Sequence, residues 1–377
     1  MNGFSWTRFM AVLAKEFVQM RRDRVTFAMM VGVPIMQLVL FGFAINSDPK
    51  NLPTAVRDAD PSVFSRSFIR AMENSGYFRV TKVVSSDAEG ARLLETGQVQ
   101  FLVTVPQDFS RKLQRGERPV LLVEGDASDP AATSNALTAL LNLNQTALDH
   151  DLRGALANLK SGPPAFELRV QRRYNPEGIT QYNIVPGLIG VVLTMTMVIM
   201  TSLSVTRERE RGTMENLLAT PVRPVEVMAG KILPFIIVGY IQVTLILAAA
   251  KFLFGVPMVG SLTLLSLASV LFIAANLAVG FTFSTVAGNQ LQAMQMAMFF
   301  FLPSILLSGF MFPFRGMPEW AQWLGEILPL THFLRIVRGI LLKGNEAAEI
   351  LPEMWPIAAF LVAAAAIALA RYRTTLD

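Results

Sequence analysis

Long uncharged apolar runs alternate with polar segments along this chain. Val25–Ile45, Ile184–Val205, Ile232–Ala250, Leu262–Val286, Leu291–Phe312 and Pro356–Ala370 contain no Asp, Glu, Lys or Arg. A bilayer crossing takes about 20 apolar residues, so the pattern predicts a polytopic α-helical membrane protein with six transmembrane helices. Val25–Ile45 follows Arg21, Arg22 and Arg24, as a signal peptide would. Its length, its Pro34 and the lack of a small-x-small cleavage site mark it instead as an uncleaved anchor.

Between the first two spans the rhythm changes. Residues 46–181 carry strand-like runs at Thr54–Asp58, Tyr77–Val84, Val99–Val105 and Val120–Glu124. Helical runs at Ser62–Asn74, Ala88–Glu95 and Phe109–Gln114 separate them. Alternating strands and helices predict an α/β domain with a mixed or parallel sheet. A long helix is expected over Ala131–Leu159, then a strand at Phe166–Tyr174, and Asn175-Pro176 turns the chain back toward the membrane.

Two further segments are apolar without crossing. In residues 1–24, Phe9, Leu13 and Phe17 recur at helical spacing among charges, which predicts an amphipathic helix on the inner membrane surface. In residues 317–343, Pro329 divides an apolar stretch into halves too short to span. Trp320 and Trp323 suit the headgroup zone. A re-entrant helix pair before the last span is expected, with Arg335 and Arg338 on one face, snorkelling to water and phosphate. Exchanging both for Glu is then expected to spare assembly.

Composition agrees with a membrane protein: 52% of residues are hydrophobic and mean hydropathy is +0.44. Cysteine is absent and histidine is limited to His150 and His332, which argues against thiol chemistry, metal centres and a Ser-His-Asp triad. Charge sets the orientation. The N-terminus, the loop 207–231 and the C-terminus together hold twelve Lys and Arg, against five on the other side (Lys251, Arg315, Arg335, Arg338 and Lys343). Both termini are therefore expected in the cytoplasm and residues 46–181 outside. The net charge of +5 is orientation charge rather than a nucleic-acid surface. No ionisable group sits in the predicted spans, which counts against a proton- or sodium-coupled secondary transporter.

The loop 207–231 carries the densest alternating charge: Arg207, Glu208, Arg209, Glu210 and Arg211, then Gly212, Thr213, Met214 and Glu215. Arg211 and Glu215 can pair across one helical turn. Thr220-Pro221 and Arg223-Pro224 stop that helix, leaving a short charged element beneath the membrane. The segment Arg209–Val222 resembles the signature loop of ABC-2 type permeases. Lys15-Glu16-Phe17, Tyr174-Asn175-Pro176, Leu302–Phe310 and Leu328–Phe333 resemble further parts of that family, in order along the chain. Within it, the large domain after the first span makes the chain similar to the YbhS/YbhR-type permeases of bacterial drug exporters.

The resemblance implies a multi-pass inner-membrane half-transporter. Cytoplasmic ATPase subunits would dock on Arg207–Thr220, with a second permease copy or a paralogue beside this one in the bilayer. A periplasmic membrane-fusion adaptor is left open. ATP and Mg would sit on the partner ATPase and no cofactor on this chain, which has no G-x-x-x-x-G-K-[ST] loop; Gly230-Lys231 runs into Ile232. Such a chain is a transport subunit, not an enzyme. Gly187, Gly190, Gly239 and Gly280 suit close helix packing. Asn276, Gln292, Gln295 and Ser308 are the uncommon polar residues of the spans and candidate pathway positions. A pathway without charge suits amphipathic or drug-like molecules. The alternatives are a mechanotransmission protein that regulates an envelope process, and an exporter of sodium or of a lipid-linked substrate.

Overall fold

The computed structural model describes residues 49–160, 163–177, 179–210 and 224–371. The stretch 1–24, the span Val25–Ile45 and residues 211–223 of the charged loop lie outside the described residues.

Strands β1 (Leu52–Asp58), β2 (Phe78–Val83), β3 (Phe101–Val105), β4 (Val120–Asp126) and β5 (Glu167–Arg173) form one sheet in the order β2-β1-β3-β4-β5. All neighbours are parallel except β3 and β4, so the sheet is mixed. Successive strand side chains point to opposite faces, and the core shows it. Phe101, Val103 and Val105 of β3 enter one cluster, while Leu102 enters another. Helices α1 (Val63–Asn74), α3 (Phe109–Gln114) and α4 (Pro130–Thr146) cover the first face, and α2 (Asp87–Glu95) covers the second. Phe68, Phe78, Phe101, Phe109 and Phe166 are fully buried on the larger side, each contributing about 1.5–3 kcal/mol by burial.

The helix starts follow local chemistry. Ser62 and Ser65 cap α1 reciprocally, and the Ser86 hydroxyl accepts the Glu89 N–H at the start of α2. One expectation fails: the helix predicted over Ala131–Leu159 ends at Thr146. Leu148 and Leu152 turn into the core, and Gly154, at φ +62°, opens a separate 3-10 helix over Gly154–Lys160.

The remainder is helical: α5 (Thr180–Glu210), α6 (Pro224–Phe252), α7 (Leu262–Val286), α8 (Gln290–Leu307), α9 (Glu319–Ile327), α10 (Pro329–Arg338) and α11 (Ala347–Arg371). Among the described residues five stretches are long and apolar enough to cross a bilayer: Thr180–Ser204, Phe235–Phe252, Leu262–Val286, Gln290–Leu307 and Ala347–Arg371. Helix α7 lies at the centre, against α5 and α11. A Cβ on Gly280 would stand 2.7 Å from the Val198 carbonyl oxygen, so α5 and α7 touch backbone to backbone there.

The last helix departs from expectation. It begins at Ala347 rather than Pro356, and so includes Glu349 and Glu353. Pro352 and Pro356 sit inside it. The charge-free boundary drawn from hydropathy is therefore too short: Glu353 is drawn into the helix by partners on α10.

Candidate functional site

The segment between α8 and α11 is built around a proline joint. Pro329 starts α10, and the Thr331 hydroxyl donates to the Gly325 carbonyl at 2.6 Å, closing the corner with α9. The two short helices then part in character. Helix α9 exposes Trp320, Trp323, Leu324 and Ile327 along one face. Helix α10 sinks into the bundle: Leu330, Phe333, Leu334, Ile336 and Val337 are buried. Phe333 stacks on Phe272 of α7 at 4.1 Å, and Leu330 lies where a Cβ on Gly190 would be 2.6 Å away.

The polar face of α10 joins charges from three elements. His332 Nδ1 lies 2.6 Å from Glu353 Oε2 of α11, and its Nε2 lies 2.8 Å from the Glu326 carbonyl oxygen. Arg335 donates to Glu326 Oε1 at 2.5 Å and to Glu353 Oε2 at 3.3 Å, with its guanidinium 4.8 Å from the Phe314 ring centre. Arg338 donates from Nη1 to the Gly309 carbonyl at 3.2 Å, beyond the C-terminus of α8. This corrects the expectation that Arg335 and Arg338 snorkel together to lipid headgroups. Arg335 is held by two carboxylates, and Arg338 turns inward.

A π-helical turn, Gly339–Lys343, carries the chain to the α/β domain. Lys343 Nζ donates to Asp126 Oδ2 at 2.6 Å, with both side chains 10% exposed. It also reaches the Leu94 carbonyl near the end of α2 at 3.5 Å and lies 5.2 Å from the Tyr174 ring centre. Burial, then the charges of Asp126 and Glu95, push the Tyr174 phenol up to about 12, so it presents a neutral ring to the ammonium. Arg315 donates to the Gly97 carbonyl at 2.9 Å, and Asn183 at the start of α5 donates to Asp129 at 3.3 Å. These ties pin the α/β domain to one end of the helical bundle.

Between the two parts lies a cavity of about 740 Å³. Gln100, Asp126 and Asp129 line it from the sheet side, and Arg315, Arg335, Arg338, Lys343 and Glu353 from the helices. Phe314, Ile336, Ile350 and Pro352 supply apolar wall. Its size falls in the range that takes a small organic molecule.

The expected pathway residues do not meet here. Asn276 is fully buried in α7 and donates to the Phe272 carbonyl at 2.9 Å. Gln292 accepts the Gly288 N–H at 2.8 Å in the first turn of α8, whereas Ser308 follows its last turn and donates to the Ile305 carbonyl at 3.1 Å. The Gln295 side-chain oxygen is buried without a hydrogen bond among the described residues.

Of the charged loop, the side chains of Arg207 and Glu210 are described and those of Glu208 and Arg209 are not; Arg211, Gly212, Thr213 and Glu215 lie outside the described residues. Glu210 accepts the Gln290 backbone N–H at 2.7 Å and also the Gln290 side-chain amide. The Gln290 bonds hold its carboxyl below the usual carboxylate range. Arg207 donates to the Gln290 side-chain oxygen at 3.4 Å. The cytoplasm-facing end expected of α5 is thus hooked to the N-terminus of α8, where an anion suits the helix dipole.

The family described as ABC-2 family transporter protein matches residues 24–370. The chain belongs to this family. It is 31% identical over 344 residues to the Escherichia coli K12 protein named probable multidrug ABC transporter permease YbhS, covering 90% of each chain. It is 30% identical over 366 residues to the one named YbhR, covering 97% of this chain and 98% of that one. The Dictyostelium discoideum ABC transporter G family member 20 is 26% identical over 338 residues, covering 89% of this chain and 46% of that protein. This chain is thus a multi-pass membrane permease of the ABC-2 family.

Sequence reasoning missed Asp126, Glu326, His332 and Glu353 as members of one junction. Lys343 was visible only as orientation charge, and Arg335 and Arg338 only as that and as one face of the expected re-entrant pair. The available signal was that Glu326 and Arg335 flank a proline joint in an otherwise apolar stretch.

Proposed function

We propose that this chain is the permease subunit of an ATP-driven exporter of amphipathic or drug-like molecules, with ATP hydrolysed by a separate cytoplasmic subunit. The match to permeases named as multidrug transporters, over nearly the whole chain, carries the reading. The family implies an ATPase partner, and a second permease, identical or paralogous, would complete the membrane part. The charged segment Arg207–Thr220 receives the stroke of that ATPase. Glu210 and Arg207 pass it to α8 through Gln290, because their bonds tie the end of α5 to the start of α8. Glu208→Lys, Glu210→Lys and Glu215→Lys combined should leave the permease in the membrane and lower its co-purification with the ATPase by about tenfold or more, the scale of several lost charge pairs. An unchanged complex with unchanged transport-linked ATP hydrolysis refutes the docking role.

The α/β domain lies outside an inner membrane in this reading, and both termini lie in the cytoplasm. The chain has no cysteine, so single reporters are unambiguous. Ser86→Cys should react with an impermeant maleimide in intact cells and Thr375→Cys should not. The reverse pattern would invert the topology.

A further inference from the structure

Both ring nitrogens of His332 face oxygen. Nε2 lies 2.8 Å from the Glu326 carbonyl oxygen of α9, and Nδ1 lies 2.6 Å from Glu353 Oε2 of α11. A carbonyl oxygen only accepts, so Nε2 carries the hydrogen of its bond. A neutral imidazole has one N–H, and that bond uses it. Nδ1 would then turn a lone pair toward a carboxylate lone pair at hydrogen-bond distance, which repels. The geometry therefore requires one proton more than a neutral ring and an ionised carboxylate hold, in the gap between Nδ1 and Oε2.

The charges around the ring favour the same proton. The Glu326 carboxylate lies 3.7 Å from Nε2. Arg335, on α10 itself, lies 2.5 Å from Glu326 Oε1 and 3.3 Å from Glu353 Oε2. Arg338 and Arg315 donate to the Gly309 and Gly97 carbonyls. Glu349, one turn before Glu353, accepts the Glu346 N–H at 2.8 Å, and Lys343 of the π-turn pairs with Asp126. The other helices packed on α10 bring no charge: Thr180–Thr206 of α5, α7 and α8 contain no Asp, Glu, Lys, Arg or His. Two carboxylates thus face one guanidinium at the ring, and a protonated ring balances them. The His332 side chain is 6% exposed and that of Glu353 26%. Glu353 lines the cavity between α10 and the α/β domain, so it is the way in for a proton.

We propose that His332 and Glu353 form a proton-binding site, entered from the cavity, whose one proton latches α9 to α11. Cavity water gives the proton, Glu353 passes it and Nδ1 holds it; on release it returns to that water. With the proton in place the ring is an imidazolium bonded to both helices. Without it the bare Nδ1 repels the Glu353 carboxylate, α11 parts from α9 and the cavity opens at this wall. The closed joint binds one proton more than the open one. It is therefore favoured as pH falls and lost as pH rises, by at most about tenfold in the closed-to-open ratio per pH unit. Histidine is the side chain suited to such a change near neutral pH. The site does not depend on the exporter reading; only the side of the membrane on which pH is sensed follows from the topology proposed above.

The test uses the full chain in discs of neutral lipid, purified through a histidine-free tag. Nitroxides go on Ile327→Cys and Leu351→Cys, both exposed in the parent, in a chain with no cysteine of its own. The distance between labels should be short and narrowly distributed at about pH 6, and longer and broader by about pH 9. The chain has two histidines, so His150→Gln leaves His332 as the single imidazole for nitrogen NMR. Both ring nitrogens should be protonated at the lower pH and Nε2 alone at the higher one, with the same midpoint as the label distance. Glu353→Gln should keep the joint closed at every pH, because its amide donates to a neutral Nδ1 and its oxygen still accepts from Arg335. His332→Gln should also remove the pH dependence. A ring already singly protonated at about pH 6, or still doubly protonated at about pH 9, overturns the proposal. So does a label distance that ignores pH, or a pH response that persists in Glu353→Gln. If Glu353→Gln does not fold, midpoints that differ between the ring and the label distance overturn it instead. The measurement needs neither ATP nor a partner subunit.

Discussion

Asp126→Ala should be among the most damaging single changes in this protein. Lys343 Nζ lies 2.6 Å from Asp126 Oδ2, and both side chains are 10% exposed. Removing the carboxylate leaves an ammonium nearly buried, with only the Leu94 carbonyl at 3.5 Å and the Tyr174 ring at 5.2 Å. Breaking one side of such a pair costs about 3–5 kcal/mol. Asp126→Ala also removes the acceptor of the Ser128 N–H at 3.0 Å. Asp126→Asn keeps that acceptor and isolates the charge effect. The double variant Asp126→Asn with Lys343→Met should recover much of the loss, because the uncompensated charge is gone. Tyr174 reports on the same event: without the Asp126 charge its ionisation should move down from about 12. The measurement is proteolytic release of the α/β domain and thermal unfolding of single and double variants. Single variants as resistant as the parent would show that the junction is held elsewhere.

The second large effect concerns Arg335 and Arg338. An interfacial, snorkelling pair would tolerate exchange for Glu with assembly intact. The contacts predict otherwise. Arg335→Glu would put a third carboxylate beside Glu326 and Glu353 and remove the cation that bridges them. Arg335 is 36% exposed and Glu326 44% exposed, so solvent screens much of the penalty and about 0.2–1 kcal/mol per lost pair is the expected scale. Arg338→Glu adds a carboxylate where Nε and Nη2 are shielded from water, near Asp126 and Asp129. The combined variant should therefore lose membrane yield and run as aggregate on size exclusion, whereas Arg335→Gln alone should assemble. A well-assembled double Glu variant would restore the lipid-facing placement.

Local features were legible. The five described spans announce themselves by long uncharged runs within them, because hydrophobic burial in a bilayer is a property of a contiguous segment. The strands of the α/β domain show in runs such as FLVTV at Phe101–Val105, and its helix starts in Ser62 and Ser86, because period and capping act over a few residues. Pro329 marked the joint of α9 and α10. The end of α4 was missed because its apolar rhythm continues past Thr146, and only packing decides that Leu148 and Leu152 turn inward. The start of α11 was missed because Glu353 breaks the charge-free run, and only the structure sets His332 and Arg335 beside it.

The sequence by itself determined the class of this protein: a chain of apolar spans, an inserted α/β domain, a charged loop between two helices and the motifs of its family. Each depends on neighbours within one turn, one strand or one membrane thickness. The tertiary structure alone decided the strand order, the antiparallel pairing of β3 with β4, the descent of α10 into the bundle and the meeting of Lys343 with Asp126. Those are contacts between segments far apart in the chain. Their free energy depends on which groups lose water together, and no local pattern records that.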